Sequence, residues 1–134
     1  MKKVEHIGIA VKDLTKANDL FTKIFNQPHY KQEELESEGV STSFFKVGET
    51  KIELLEATNE NSPIAKFIDK RGEGIHHIAF EVDNIDAEIQ RLQAEGIQLI
   101  HQTSKDGVDN KRICFLHPKS TNGVLIELCQ EKAK

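Results

Sequence analysis

Two histidines and two glutamates occupy equivalent places in an internal repeat of this sequence. His6 near the N-terminus is matched by His77, and Glu53 is matched by Glu127 at a slightly larger offset that one short loop insertion explains. The repeated segments are Val4–Val11 with Gly74–Val82, and Lys51–Leu55 with Leu125–Cys129. Imidazole and carboxylate groups are ligands that divalent first-row metals accept. The repeat therefore singles out four side chains that could hold one ion.

Side-chain alternation in the first copy turns its two polar residues away from the apolar side. Ile7 and Ile9 have the period of a strand with one buried face, so His6 points to the opposite face. Gly8 leaves room above the sheet on that face. Glu53 lies between apolar neighbours and is predicted to share the open face with His6.

The same alternation distinguishes two adjacent histidines in the second copy. Ile78 and Phe80 mark the apolar side of the strand, so His77 is predicted to face the open side and His76 the apolar side. Glu127 also faces away from its apolar neighbours. We therefore predict that His77 is the ligand, and that His76 is a structural histidine or supports a ligand from behind.

The donor set favours a catalytic rather than a structural metal. Two imidazoles and two carboxylates suit a divalent cobalt, zinc, nickel, manganese or iron ion, and an octahedral ion would keep two positions for water or substrate oxygens. A closed structural zinc site is typically tetrahedral and rich in thiolate, which this sequence does not offer. Any one of the four residues could simply be a hydrogen-bonded structural residue. Four such residues at repeat-related positions favour a metal site over four separate structural roles.

The elements that must position these residues also repeat. Each half predicts a strand, a helix and three further strands, which gives tandem βαβββ modules of the α+β class that form a cleft. Asp13 is expected to cap the first helix and Asn84 or Asp86 the second. A short strand is predicted at Ile97–Gln102, followed by a loop at Thr103–Asn110. The predicted boundaries within a single domain of residues 1–134 are about 3–58 for module one, 61–73 for a linker helix and 74–131 for module two.

Composition excludes several classes of partner. The net charge is −4, and the sequence has no long run of charges of one sign. We therefore expect no basic surface that would bind nucleic acid or a membrane. No apolar run approaches the length of a signal peptide or a membrane span, and a cytoplasmic location is expected. Cys114 and Cys129 lie in apolar runs without metal or redox spacing, and are predicted to be reduced packing residues.

The repeat and its candidate ligands resemble the vicinal-oxygen-chelate superfamily, whose paired modules hold a metal in a cleft. Within it, the chain is similar to the methylmalonyl-CoA epimerase family from Val4 to about Gln130. The matching segments are Glu5–Val11, Ser62–Phe67, Gly74–Ile78, Phe115–Ser120 and Gly123–Leu128. The resemblance implies a glyoxalase-like fold, a homodimer, and one divalent metal held by His6, Glu53, His77 and Glu127.

The resemblance also implies a reaction, the interconversion of (2R)- and (2S)-methylmalonyl-CoA through a metal-stabilised enolate. Glu127 is the first candidate for the general base at C2, and Glu53 is the second catalytic candidate. Relatives can carry glutamine at the Glu53 position, and can carry a further carboxylate near the segment Val40–Ser43, where this chain has none. The second acid or base is therefore a water or Glu53 itself. The cations that could meet the phosphates of an acyl-CoA are Lys105, Lys111, Arg112 and Lys119.

Two other functions stay open at this point. A lactoylglutathione lyase of the glyoxalase I type can use the same four ligands. A non-enzymatic small-molecule-binding or resistance protein could use the same duplicated fold without a metal, but has no need for all four ligand residues. An extradiol dioxygenase is less favoured, because its iron takes two histidines and one carboxylate.

Overall fold

The computed structural model describes residues 1–132, which form eight strands and three α-helices. The strands are β1 (Lys3–Ala10), β2 (Lys31–Leu35), β3 (Val40–Val47), β4 (Thr50–Ala57), β5 (Gly74–Glu81), β6 (Lys105–Asp106), β7 (Lys111–Leu116) and β8 (Ile126–Glu131). The helices are α1 (Leu14–Phe25), α2 (Pro63–Arg71) and α3 (Ile85–Ala94). The chain divides into two compact units. The first unit is His6–His76, and the second unit is Met1–Glu5 together with the chain from His77 onward.

Four strands of the first unit lie in the order β2-β3-β4-β1. The β3–β4 pair is antiparallel and β4 pairs with β1 in parallel. One face of this sheet packs against α1, because the apolar side chains of alternate residues form a common core there. This core contains Val11, Leu14, Ala17, Phe45 and Leu54, with Ile9, Phe21, Phe25 and Ile52 at its edge. The predicted order of strand, helix and three strands is confirmed for this unit.

Helix α1 begins where the sequence predicts it. The side chain of Asp13 accepts a hydrogen bond from the backbone N–H of Lys16, as expected of an N-cap residue. The Glu56 carboxylate on β4 accepts a second bond from the N–H of Leu14, at 2.6 Å. Asn26 ends the helix in the left-handed conformation. The helix is therefore tied to its sheet at its first turn.

The predicted linker helix is α2, which packs within the first unit. Ser62 caps it by accepting a bond from the N–H of Ile64, and Pro63 occupies its first position. Ile64, Phe67 and Ile68 pack against a second apolar cluster of the same unit. This cluster contains Ala10, Val40 and Leu55, with Leu35 and Ala57 partly buried beside them.

The second unit repeats this plan with strands in the order β5-β8-β7-β6. Asn84, rather than Asp86, caps α3. Gln130 on β8 accepts a bond from the N–H of Ile85 at 2.7 Å, as Glu56 does at α1. The core between α3 and this sheet contains Val82, Ile85, Ile89, Leu92, Cys114, Leu116 and Leu128. The tandem βαβββ plan of the α+β class is thus confirmed.

The cysteine prediction agrees with the structure. Cys114 and Cys129 are both free and buried. Burial raises the pKa of the Cys114 thiol, which keeps it protonated at neutral pH. Cys114 packs in the core against α3, and Cys129 packs in an apolar cluster with Ala79 and Ile113.

The strand predicted at Ile97–Gln102 is wrong. Only Leu99 forms a bridge with β7, opposite Leu116. Ile97 and Leu99 pack on the core of the second unit, and two backbone hydrogen bonds, from Ile100 N–H to Phe115 C=O and from His117 N–H to Gln98 C=O, join the segment to β7 without extending into a strand. The strand that does pair with this edge of β7 is β6, within the segment predicted to be a loop.

None of the helices within residues 1–132 combines the length and the apolar composition that crossing a membrane requires.

Candidate functional site

The first histidine–glutamate pair lies on adjacent parallel strands of the first unit. Gly8 on β1 is the Cα partner of Glu53 on β4, and His6 lies two residues before Gly8 on the same face. Because Gly8 has no side chain, the Glu53 carboxylate can extend diagonally toward the imidazole. His6 Nδ1 and Glu53 Oε2 are 3.2 Å apart, and both side chains are buried.

The second pair has the same arrangement in the second unit. Ala79 on β5 is the Cα partner of Glu127 on β8, and His77 lies two residues before Ala79. His77 Nε2 and Glu127 Oε1 are 3.3 Å apart. Phe115, which is the partner of Glu127 on β7, packs edge-on against the His77 ring with 5.8 Å between ring centroids. The imidazole is therefore held by an aromatic contact as well as by its carboxylate.

Both pairs agree with the predicted strand parity. Ile52 and Leu54 pack in the α1 core, whereas Glu53 between them points to the other face of the sheet. Ile126 and Leu128 pack in the α3 core, and Glu127 between them points away from it. The structure brings each glutamate to the histidine of its own unit. The convergence of all four residues on one ion stays a prediction.

The chemistry of each pair fits a divalent metal. Ligand atoms at about 2.1 Å from one ion lie about 3.0 to 3.4 Å apart in octahedral or tetrahedral geometry, and the observed nitrogen–oxygen distances fall in this range. Glu53 and Glu127 are only 2% and 5% exposed, and a buried carboxylate needs a cation or several hydrogen bonds. His6 and Glu53 belong to a group of buried side chains that could hold a metal.

His76 has a different environment from its neighbour His77. Its ring packs edge-on against Phe67 of α2, with 5.0 Å between ring centroids. Burial lowers the pKa of His76 to about 4, so the side chain is neutral at physiological pH. A neutral imidazole packed on an aromatic ring supports the prediction that His76 is structural.

The segment Val40–Ser43 is buried and contains no carboxylate. Thr42 shares a face of β3 with Phe44, which is the Cα partner of Glu53. The Thr42 hydroxyl is buried and has no hydrogen-bond partner among residues 1–132. The structure therefore supplies a hydroxyl, and no acid, in the segment where the family resemblance implies a further carboxylate.

Two of the four cations that the sequence groups as possible phosphate contacts, Arg112 and Lys111, have different environments. Arg112 forms an ion pair with Asp106 at 2.9 Å and also donates to Ser104 Oγ, so its charge is already matched. Lys111 is buried instead, with 5% of its surface exposed. Lys111 alternates with Ile113 and Phe115 along β7, and this strand parity is the signal that could have identified it as inward-facing.

Comparisons with known proteins find a matching family model and several similar chains. A family model described as the Glyoxalase/Bleomycin resistance protein/Dioxygenase superfamily matches residues 5–115. A mitochondrial methylmalonyl-CoA epimerase of Dictyostelium discoideum is 41% identical over 94% of this chain and 76% of its own length. An ethylmalonyl-CoA/methylmalonyl-CoA epimerase of Cereibacter sphaeroides is 38% identical over 96% of this chain and 97% of its own length. The solved Streptomyces coelicolor methylmalonyl-CoA epimerase, in complex with 2-nitronate-propionyl-CoA, superimposes with a TM-score of 0.94 at 33% identity, covering 99% of this chain and 96% of that one.

Proposed function

The chain belongs to the glyoxalase/bleomycin resistance protein/dioxygenase superfamily, and we propose that within it the chain is a metal-dependent epimerase of methylmalonyl-CoA. Its resemblance to methylmalonyl-CoA epimerases, which are isomerases, is confirmed by these relatives. The observation that carries the metal-dependent mechanism is the pair of buried histidine–glutamate contacts, one in each unit.

His6, Glu53, His77 and Glu127 would hold the metal. The ion would supply positive charge that polarises the thioester carbonyl and stabilises the negative charge that develops on its oxygen when the C2 proton leaves. Two imidazoles carry no charge when they act as ligands, so the two carboxylates would balance the charge of a divalent ion. This balance explains why two acidic side chains can remain buried in a small domain.

The protein must also remove a proton from C2 and return one to the opposite face. Glu127 is the proposed general base, because its carboxylate is buried and held beside His77. A positioned general base contributes a factor of about 10² to 10⁴ in rate. Glu53 or a water near it is the proposed proton donor on the other face, since Val40–Ser43 contains no acid.

Proton exchange at C2 of methylmalonyl-CoA in deuterated water tests the reaction. The purified protein should incorporate deuterium at C2 when loaded with one of the candidate metals, and a chelator should stop the exchange. Glu127→Gln should lower the exchange rate by about 10²-fold or more. Glu95→Gln is the matched control, because Glu95 is exposed at the end of α3 and should leave the rate unchanged.

Two results would contradict the proposal. Turnover of the methylglyoxal–glutathione hemithioacetal without exchange at C2 would assign the chain to the lactoylglutathione lyases. A folded protein that neither retains nor responds to any divalent metal would favour a binding or resistance protein. The cytoplasmic location and the homodimer stay predictions.

A further inference from the structure

Lys111 lies on the same face of the second unit as the His77–Glu127 pair. Within β7 it shares its face with Ile113 and Phe115, and Phe115 is the Cα partner of Glu127. Ile113 and Phe115 pack on that face in an apolar cluster with Ala79 and Cys129. Lys111 therefore carries a cationic side chain on the strand face that also carries Phe115, beside this apolar cluster.

The charge of Lys111 is not matched within the described chain. No carboxylate of residues 1–132 forms an ion pair with its ammonium group, and this includes Glu131, its Cα partner on β8. Lys111 is 5% exposed, and a lysine that buries its aliphatic stem without a carboxylate partner keeps its ammonium group available to an anionic ligand. The neighbouring Arg112 differs, since Asp106 and Ser104 already bind it.

The internal repeat provides a reference for this position. Phe44 lies opposite Glu53 in the first unit, and Phe115 lies opposite Glu127 in the second. Four residues before each phenylalanine, the first unit has Val40 and the second has Lys111. Val40 is buried in an apolar cluster. The fold therefore accepts an aliphatic side chain at this position, and it does not require a lysine there.

We propose that Lys111 binds an anionic oxygen of the acyl-CoA substrate. The inference rests on the proposed function and adds a residue that recognises the substrate. Four residues of strand span about 14 Å, and the extended lysine side chain covers part of that distance toward Glu127. The substrate offers two sources of such an oxygen, the carboxylate beside the reacting carbon and the phosphates of CoA.

Binding measured by calorimetry on the metal-loaded protein separates the two sources. The ligands are methylmalonyl-CoA, propionyl-CoA, which lacks the carboxylate, and the N-acetylcysteamine thioester of methylmalonate, which lacks the phosphates. The variants are Lys111→Met and Lys111→Arg. Lys23→Met is the control, because it removes the same charge from an exposed position on α1.

Lys111→Met should bind methylmalonyl-CoA roughly tenfold more weakly or worse, as expected for the loss of a charge-assisted hydrogen bond. Lys111→Arg should retain most of the affinity, and Lys23→Met all of it. If only methylmalonyl-CoA and the N-acetylcysteamine thioester bind Lys111→Met more weakly, Lys111 contacts the substrate carboxylate. If only methylmalonyl-CoA and propionyl-CoA bind it more weakly, Lys111 contacts a CoA phosphate. Lys111→Met should unfold at about the same temperature, because methionine preserves the packing of the buried stem and no ion pair is lost. A purely structural lysine would lower stability instead.

Wild-type affinity of folded Lys111→Met for all three ligands would overturn the inference. Binding of the CoA thioesters by the natural protein without exchange at C2 would overturn the proposed function, while a Lys111-dependent affinity would still support this inference. A natural protein that binds none of the ligands would overturn both.

Discussion

Small side chains opposite the two glutamates determine whether each carboxylate can reach its histidine. Gly8 faces Glu53 and Ala79 faces Glu127, so the side chain opposite each glutamate is at most one methyl group. The sequence shows both residues, but their importance depends on register. Only the observed pairing reveals that each lies directly opposite a candidate ligand.

Gly8→Val should abolish the contact between His6 and Glu53, because a branched side chain would fill the path of the carboxylate. Gly8→Ala is the matched control, since Ala79 occupies the equivalent place in the second unit. We expect Gly8→Val to lose bound metal, measured by elemental analysis after dialysis, and Gly8→Ala to retain it. Equal metal content in the two folded variants would contradict this account of the site.

The adjacent histidines should respond differently to replacement. His77→Ala should lose metal and epimerase activity, because it removes a proposed ligand. His76→Ala should retain metal and lower the free energy of unfolding by about 1 to 3 kcal/mol, since it removes the contact with Phe67. Metal analysis and chemical denaturation of both variants measure these effects. Equal metal loss in the two would show that strand parity assigns the wrong ligand.

At the scale of elements, each helix that follows a first strand is tied to the last strand of its unit. Glu56 accepts a bond from the first turn of α1, and Gln130 does the same at α3. A charged acceptor at a helix N-terminus is stabilising because it interacts favourably with the helix dipole. The hydrogen bonds from Glu56 and Gln130 to the two helices are therefore equivalent in position, but only the Glu56 acceptor carries a charge.

Gln130→Glu should stabilise the protein by about 0.3 to 1 kcal/mol at neutral pH and low salt, and Glu56→Gln should destabilise it by a similar amount. Denaturant unfolding monitored by circular dichroism measures both changes. High salt should reduce each difference, because screening weakens the dipole interaction. A Gln130→Glu variant that is less stable than the natural protein would contradict the equivalence of the two tethers.

Most elements could be predicted from sequence, because apolar periodicity and helix caps are local signals. The caps Asp13 and Ser62 are read directly from the chain. The exceptions depend on long-range pairing. Strand β6 has only two residues and polar side chains, and Ile97 and Leu99 alternate without forming a strand. A lysine is usually exposed, so the residue type alone does not predict that Lys111 is buried. Its burial follows from its position on β7, which depends on pairing with β8.

At the scale of the whole molecule, the two units repeat one plan and each contributes one histidine–glutamate pair. The pairs themselves were predictable, because duplication and parity both point to the same four residues. The identity of the metal was not, since cobalt, zinc, nickel, manganese and iron all accept this donor set. The proton donor was also not predictable, because the acid expected from the family resemblance is missing from Val40–Ser43.

Removing the metal should destabilise the whole protein. A ligand present at 100 times its dissociation constant stabilises the folded state by about 2.7 kcal/mol, so a chelator should lower the unfolding temperature. One ion per chain is expected, and either His6→Ala or His77→Ala should abolish the metal-dependent shift. Single variants that each keep half of two bound ions would instead indicate two independent sites.

The parallel pairing of β1 with β4, and of β5 with β8, also affects the order of events in folding. The hairpin of β3 and β4 joins neighbours in the chain, whereas a parallel pair closes a long intervening segment and pays its loop entropy first. Each histidine therefore meets its glutamate only after that closure. We expect metal capture to follow docking of the parallel strands, so that a chain still folding has little affinity for the ion it will later hold.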